Sequence, residues 1–109
     1  MAEITTVSEA TFTQEVLLSP LPVLVDYSAV WCGPCKMLDP VVKQLAVEWS
    51  GKLKVFKVDI DQNPGLVTTY QIMSVPTLML FVNGKLVERT TGYQPKDKLE
   101  KKFKPHLGA

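Results

Sequence analysis

Cys32 and Cys35 are the only cysteines of a 109-residue chain, and they stand two residues apart in the run Trp31-Cys32-Gly33-Pro34-Cys35-Lys36. Such a pair can be a structural staple, half of a metal site or a reactive dithiol. A lasting structural disulfide is uncommon in a reducing compartment, and a domain of this length has no need of one. A four-cysteine zinc site needs a second pair, and the single histidine, His106, lies in the C-terminal tail. No metal is therefore expected within one chain, and a metal or cluster bridged between two copies would have to draw thiols from both. Covalent haem attachment calls for histidine directly after the second cysteine, where Lys36 stands.

The dithiol alternative has positive physics behind it. A strand ending at Tyr27 or Ser28 and a helix beginning near Gly33 put Cys32 at a helix N-terminus, where unpaired amides and the macrodipole favour an anion. Cys35, one turn into the helix, then lies beneath it with its sulfur in reach of a disulfide, and Gly33-Pro34 keeps the intervening loop tight. On this reading Cys32 attacks and Cys35 resolves.

The elements that must hold this pair are legible in the apolar pattern. Val23-Leu24-Val25-Asp26-Tyr27 is β-branched-rich and apolar without alternation, as a strand covered on both faces would be, and is placed in the middle of a sheet. From Cys35 onward Met37, Leu38, Val41, Val42, Leu45, Ala46 and Trp49 recur at three- and four-residue steps, a helix stripe expected to face the core and to end at Gly51. Pro40 falls inside it, so a kink is expected just after the cysteines. Thr11-Phe12-Thr13-Gln14 fits a capping box and predicts a helix from Phe12 to Leu18, preceded by an edge strand over Ile4 to Val7. Lys52 to Asp59 reads as a strand, Asn63-Pro64 as the N-cap and first turn of a short helix to about Tyr70, and Leu78 to Val82 as a strand. Asn83-Gly84 signals a hairpin returning over Leu86 to Thr91, and Lys96 to about Lys104 a last helix with Leu99 and Phe103 inward, stopped by Pro105. The order β, α, β, α, β, α, β, β, α predicts a mixed sheet with helices on both faces.

Composition narrows the partners. With 46% hydrophobic residues the chain can build one core, and twelve Lys and Arg against eleven Asp and Glu leave a formal net charge of +1. That balance speaks against a dedicated nucleic-acid or anionic-membrane surface and for protein or small-molecule partners. The start MAEITTVSEATFTQEV lacks the basic and apolar regions of a signal peptide, and no apolar run reaches membrane-span length. A cytoplasmic setting is expected, or an organelle stroma or matrix after removal of a transit peptide.

The motif WCGPCK matches residue for residue the active-site motif of the thioredoxin family, and the chain resembles that family over essentially its whole length. Asp26 stands ahead of the motif and Pro40 after it, followed by Lys57, Asp61-Gln62-Asn63-Pro64-Gly65, Val75-Pro76-Thr77, Asn83-Gly84 and Gly92. The resemblance implies a single domain over 1–109 with an α/β thioredoxin fold, a central mixed five-stranded sheet flanked by four α-helices. It implies a monomeric protein-disulfide reductase with no cofactor beyond the redox-active Cys32–Cys35 pair, whose partners are disulfide-containing target proteins and a thioredoxin reductase. Carried over by position, Cys32 is the nucleophile, Cys35 the resolving thiol, Asp26 the buried carboxylate that handles the Cys35 proton, and Lys57 the charged partner of Asp26. Pro76 would be a cis-proline facing the disulfide, with Val75 before it offering backbone groups to an extended substrate. Trp31, Gly33, Pro34, Ile60, Gly92 and Tyr93 would complete an apolar docking surface.

The chain also departs from the family. Tyr27-Ser28 stands where Phe-Trp is usual, Asp39 where alanine is common, and Ser74 where glycine is frequent. Loss of the indole at Ser28 bears on loop rigidity, redox potential and partner choice. On the residues alone, Asp26 also reads as a structural carboxylate paired with Lys57, Lys57 as a solvated strand lysine, Trp31 as packing, and Pro76 as a trans strand-start proline. His106 and the lysines at 96, 98, 101, 102 and 104 read as a solvated C-terminal helix and carry no chemistry. Two competing functions stand beside the reductase. An oxidase or isomerase of this fold usually has histidine at the position of Pro34 and an export signal, neither of which stands here. A redox-independent binding or assembly subunit, or a chaperone, would use the docking surface without turnover of the thiols.

Overall fold

The structure, a computed structural model, describes residues 4–108; the first three residues of the segment read for a leader, and both ends of the domain expected over 1–109, lie outside the described residues. Five strands, β1 (Thr5–Thr6), β2 (Val23–Ser28), β3 (Lys54–Asp59), β4 (Thr77–Val82) and β5 (Lys85–Thr91), form one sheet in the order β1-β3-β2-β4-β5. β2 runs parallel to β3 and antiparallel to β4, so the apolar run around Asp26 occupies the centre of a mixed sheet. Four helices cover it: α1 (Glu9–Phe12), α2 (Gly33–Glu48), α3 (Pro64–Thr69) and α4 (Lys96–Phe103).

Because successive strand residues point to opposite faces, β2 divides its side chains between two cores. Val23, Val25 and Tyr27 join Phe12, Phe56 and Phe81 under α1 and α3, whereas Leu24 joins Leu38, Val42, Leu45, Leu99 and Phe103 under α2 and α4. All six residues of β2 are buried, which is why the strand shows no alternation. The same rule sends Asp26 and Ser28 to the α2 face together with Lys57 and Asp59 of β3. Tyr27, one of the departures from the family pattern, points the other way, into the core under α1 and α3.

Several local expectations are corrected by the packing. The first helix begins at Glu9 rather than Phe12, because Thr11 closes a turn that starts at Ser8: the Ser8 N–H donates to Thr11 Oγ1 at 3.0 Å and the Thr11 N–H to the Ser8 carbonyl at 3.1 Å. The chain then passes into a π-helical turn over Thr13–Leu17. α2 runs as one element through Pro40 and ends at Glu48, with Trp49 rather than Gly51 at its cap. Its buried stripe is narrower than the pattern suggested, since Cys35, Leu38, Val42 and Leu45 are buried while Met37 is 62% exposed. At Asn83-Gly84 both residues take positive φ, +53 and +79, as a two-residue hairpin turn requires. α4 ends at Phe103 and continues as a 3-10 turn over Lys104–His106 that includes Pro105.

Asn63 precedes α3 as expected, but its side chain serves α1: its Oδ1 accepts from the Glu9 N–H at 2.9 Å. The Glu9 carboxylate in turn accepts from the N–H groups of Gly65 and Leu66 at the start of α3. Two helices 54 residues apart in sequence thus cap one another. Removing that carboxylate in Glu9→Ala leaves two amides of α3 without it and is expected to cost about 1 kcal/mol of stability, read as a lower urea midpoint at unchanged slope.

Candidate functional site

β2 ends at Ser28 and a three-residue loop delivers Cys32 to the N-cap of α2, with backbone φ −90° and ψ 112°, outside the helix. The cap group is a sulfur. The Cys35 N–H donates to Cys32 Sγ at 3.1 Å, and the two sulfurs are joined in a disulfide whose Cα atoms are 5.3 Å apart. Pro34 follows in the first turn, where its missing N–H would have had no helical partner in any case. A thiolate at Cys32 would face amide donors and the positive end of a 16-residue helix. Each cysteine is only 4% exposed, so an incoming disulfide must approach along the surface around the pair.

That surface comes from three loops. Trp31 is 65% exposed, yet its Nε1 donates to Asp61 Oδ2 at 2.8 Å, and the Asp61 N–H is held by Asp59 Oδ1 at 2.9 Å, so the indole is tethered to the end of β3. Gly33 and Pro34 are exposed at the helix start. Ile60 and Val75 pack on the cluster of Ala29, Cys32 and Cys35. The Val75–Pro76 peptide is cis, and the Pro76 carbonyl accepts from the Gly92 N–H at 2.8 Å, which ties the third loop to the second. Gly92 has φ +84°, a conformation that disfavours any side chain there. Tyr93, the residue after Gly92, is 41% exposed. Val30, Met37 and Met73 are exposed apolar residues of these same segments that the motif reading left out. Helical periodicity places Met37 in the core, and Val30 and Met73 carry no signal in the sequence beyond their neighbours.

Below the disulfide, on the α2 face of the sheet, lies a charged group of side chains. Asp26 is 1% exposed and its Oδ1 has no hydrogen-bond partner. Burial pushes its carboxyl up to about 7, Lys57 pulls it down, and Asp39 pushes it further up. Asp26 and Lys57 are register partners across β2 and β3. Lys57 acts on Asp26 through its charge, while its direct ion pair is with Asp39 Oδ1, at 2.8 Å. The lysine stem is long enough to reach the helix, where the Asp39 side chain is 33% exposed and keeps part of its hydration. A depression of about 560 Å³ opens beside this group, lined among others by Ser28, Cys35, Lys36, Asp39, Lys57 and Asp59. Ser28 lines it with a hydroxymethyl group, and Cys35 also borders it.

Among the described residues no group of three or more His, Cys, Asp or Glu side chains is arranged to hold a metal ion, and no helix is long and apolar enough to cross a membrane. The site is therefore a disulfide at a helix N-terminus, an apolar rim, and a buried carboxyl behind.

Comparison with known proteins agrees with that geometry. The family model described as Thioredoxin matches residues 3–105. The chain is similar to Thioredoxin 1 of a Nostoc species, 48% identical over 93% of this chain and 94% of the relative. It is also similar to the Thioredoxin of Rickettsia felis, 50% identical over 85% and 89%, and to that of a Synechocystis species, 46% identical over 93% and 94%.

Proposed function

The chain belongs to the thioredoxin family of protein-disulfide oxidoreductases, and from that premise we propose that Cys32 is its attacking thiol, Cys35 its resolving thiol and Asp26 the group that exchanges a proton with Cys35. Thioredoxins act on disulfide substrates and are recharged by thioredoxin reductase. The chemistry is thiol–disulfide exchange. The Cys32 thiolate attacks one sulfur of a target disulfide, the target S–S bond breaks, and one target thiolate leaves. Cys35 then gives its proton to the Asp26 carboxylate and attacks Cys32 Sγ, which forms the Cys32–Cys35 disulfide and expels the second target thiolate. Two electrons have passed from the dithiol to the target, and the disulfide of this structure is the oxidised product.

The observation that carries the assignment is the Cys35 N–H directed at Cys32 Sγ, since it supports an anion at the first cysteine and not at the second. Among the described residues the N–H and carbonyl of Val75 have no backbone partner, which supports pairing of an extended target segment there, with Trp31, Gly33, Pro34, Ile60, Pro76, Gly92 and Tyr93 around it. The targets are disulfide-bearing proteins and the redox centre needs no cofactor besides the cysteines. The protein acts as a monomeric single domain in the cytoplasm, or in an organelle stroma or matrix. Reduction of insulin by the wild type and by Cys32→Ser tests the function: wild-type turnover with none in the variant is expected, whereas a binding or assembly role would survive loss of the thiol and show no turnover in either.

A further inference from the structure

Lys57 offers one positive charge to two carboxylates. Asp39 stands one helical turn after Cys35, so both side chains lie on the same face of α2, above Asp26 and Lys57 of the sheet. Of the two candidate partners Asp39 has the contact, at 2.8 Å from Lys57 Nζ, while Asp26 keeps an unpartnered buried oxygen. The other charged groups on this side are Asp59 of β3 and Lys36 of α2, both at the depression, whereas the β4 register partner of Asp26 is Leu78. With Asp26 protonated, the Asp39–Lys57 pair is neutral; with Asp26 ionised, two carboxylates share one ammonium.

We propose that Asp39 is a positioning residue for the exchange reaction: it holds the Lys57 ammonium on the helix, away from Asp26, and so keeps Asp26 basic enough to take the Cys35 proton. The inference rests on the assignment of Asp26 as the acceptor of that proton. Asp39 touches neither substrate nor sulfur; it acts through Lys57. Its own charge adds to the effect, since it opposes ionisation of Asp26 in a partly desolvated group. Proton transfer is most efficient when acceptor and donor are closely matched, so a carboxyl fully paired with Lys57 would be the weaker base for a thiol.

The test is Asp39→Asn, which keeps the shape and removes the charge. Two quantities are measured across pH: the titration of the Asp26 carboxyl carbon by NMR, and the rate at which a disulfide-linked target peptide is released from Cys32. Both midpoints are expected to fall by about one pH unit, as expected for an ammonium freed to approach a carboxylate. Asp39→Glu, with the charge restored on a longer stem, is expected to return both toward the wild type. In an Asp26→Asn background Asp39→Asn should move the rate profile no further. An Asp26 midpoint that stays in place or rises overturns the inference, as does a moved titration with an unmoved rate profile. Failure of the underlying assignment looks different: Asp26→Asn by itself would then leave target release unchanged at every pH.

Discussion

Replacing Cys35 by Ser is expected to turn the protein from a reductase into a trap. Cys32 still occupies the N-cap of α2, where the residue-35 amide reaches its sulfur at 3.1 Å, and this backbone donor survives the substitution. The first exchange therefore proceeds and a target becomes covalently attached to Cys32. The second exchange has lost its thiol. In the wild type Cys35 lies in bonding reach of Cys32, and an internal nucleophile held in this way acts at an effective concentration no external thiol can match, on the order of 10⁵ M or more. Turnover with insulin should fall by at least about a hundredfold, and disulfide-linked adducts should accumulate that dithiothreitol releases. Cys32→Ser should accumulate none, because the helix amide that favours a thiolate is directed at the sulfur of residue 32 and not at that of Cys35. Adducts on Cys35 in that variant would reverse the roles of attacker and resolver.

Asp26→Asn is expected to make the protein more stable and slower. The carboxyl is pushed from 3.8 up to about 7 on folding, first by burial and then by Asp39, against the pull of Lys57. Below the unfolded value both states hold the proton and no penalty applies. As pH rises from about 4 the unfolded chain releases its proton while the native state keeps it, so native stability falls with pH until the folded carboxyl has also ionised, near pH 7 and above. The displacement sets a ceiling of about 4 kcal/mol on the penalty at pH 8. Asparagine escapes that penalty but is itself a buried amide in need of partners, so a net gain of about one to three kcal/mol at pH 8, shrinking to little at pH 4, is expected. Urea unfolding at the two pH values measures it. The same variant should release its target more slowly, since Cys35 loses its proposed proton acceptor. A variant less stable at pH 8 would show that attraction to Lys57 outweighs burial, and undiminished release would make Asp26 structural.

Much of this protein was determined by features a few residues apart. Two cysteines with Gly33-Pro34 between them and an apolar stripe behind fixed the helix start and the placement of the first sulfur, because the N-terminal amides of a helix are oriented by its own backbone. The unbroken apolar run around Asp26 fixed a central strand and a buried carboxyl, since no strand covered on one face alone would lack alternation. Asn83-Gly84 fixed the hairpin because both residues tolerate positive φ. What the tertiary structure decided were pairings between elements. Lys57 binds Asp39, 18 residues earlier on a different element. Asn63 caps α1 while Glu9 caps α3, and Trp31 is held by Asp61. Met37 fits the helix period yet is 62% exposed. The physical reason is one of range. Backbone conformation responds to neighbours within a turn or a strand pair, whereas a flexible side chain goes to whichever charge or amide the packing of two elements brings within about 3 Å, and that choice exists only once the helix has settled on the sheet.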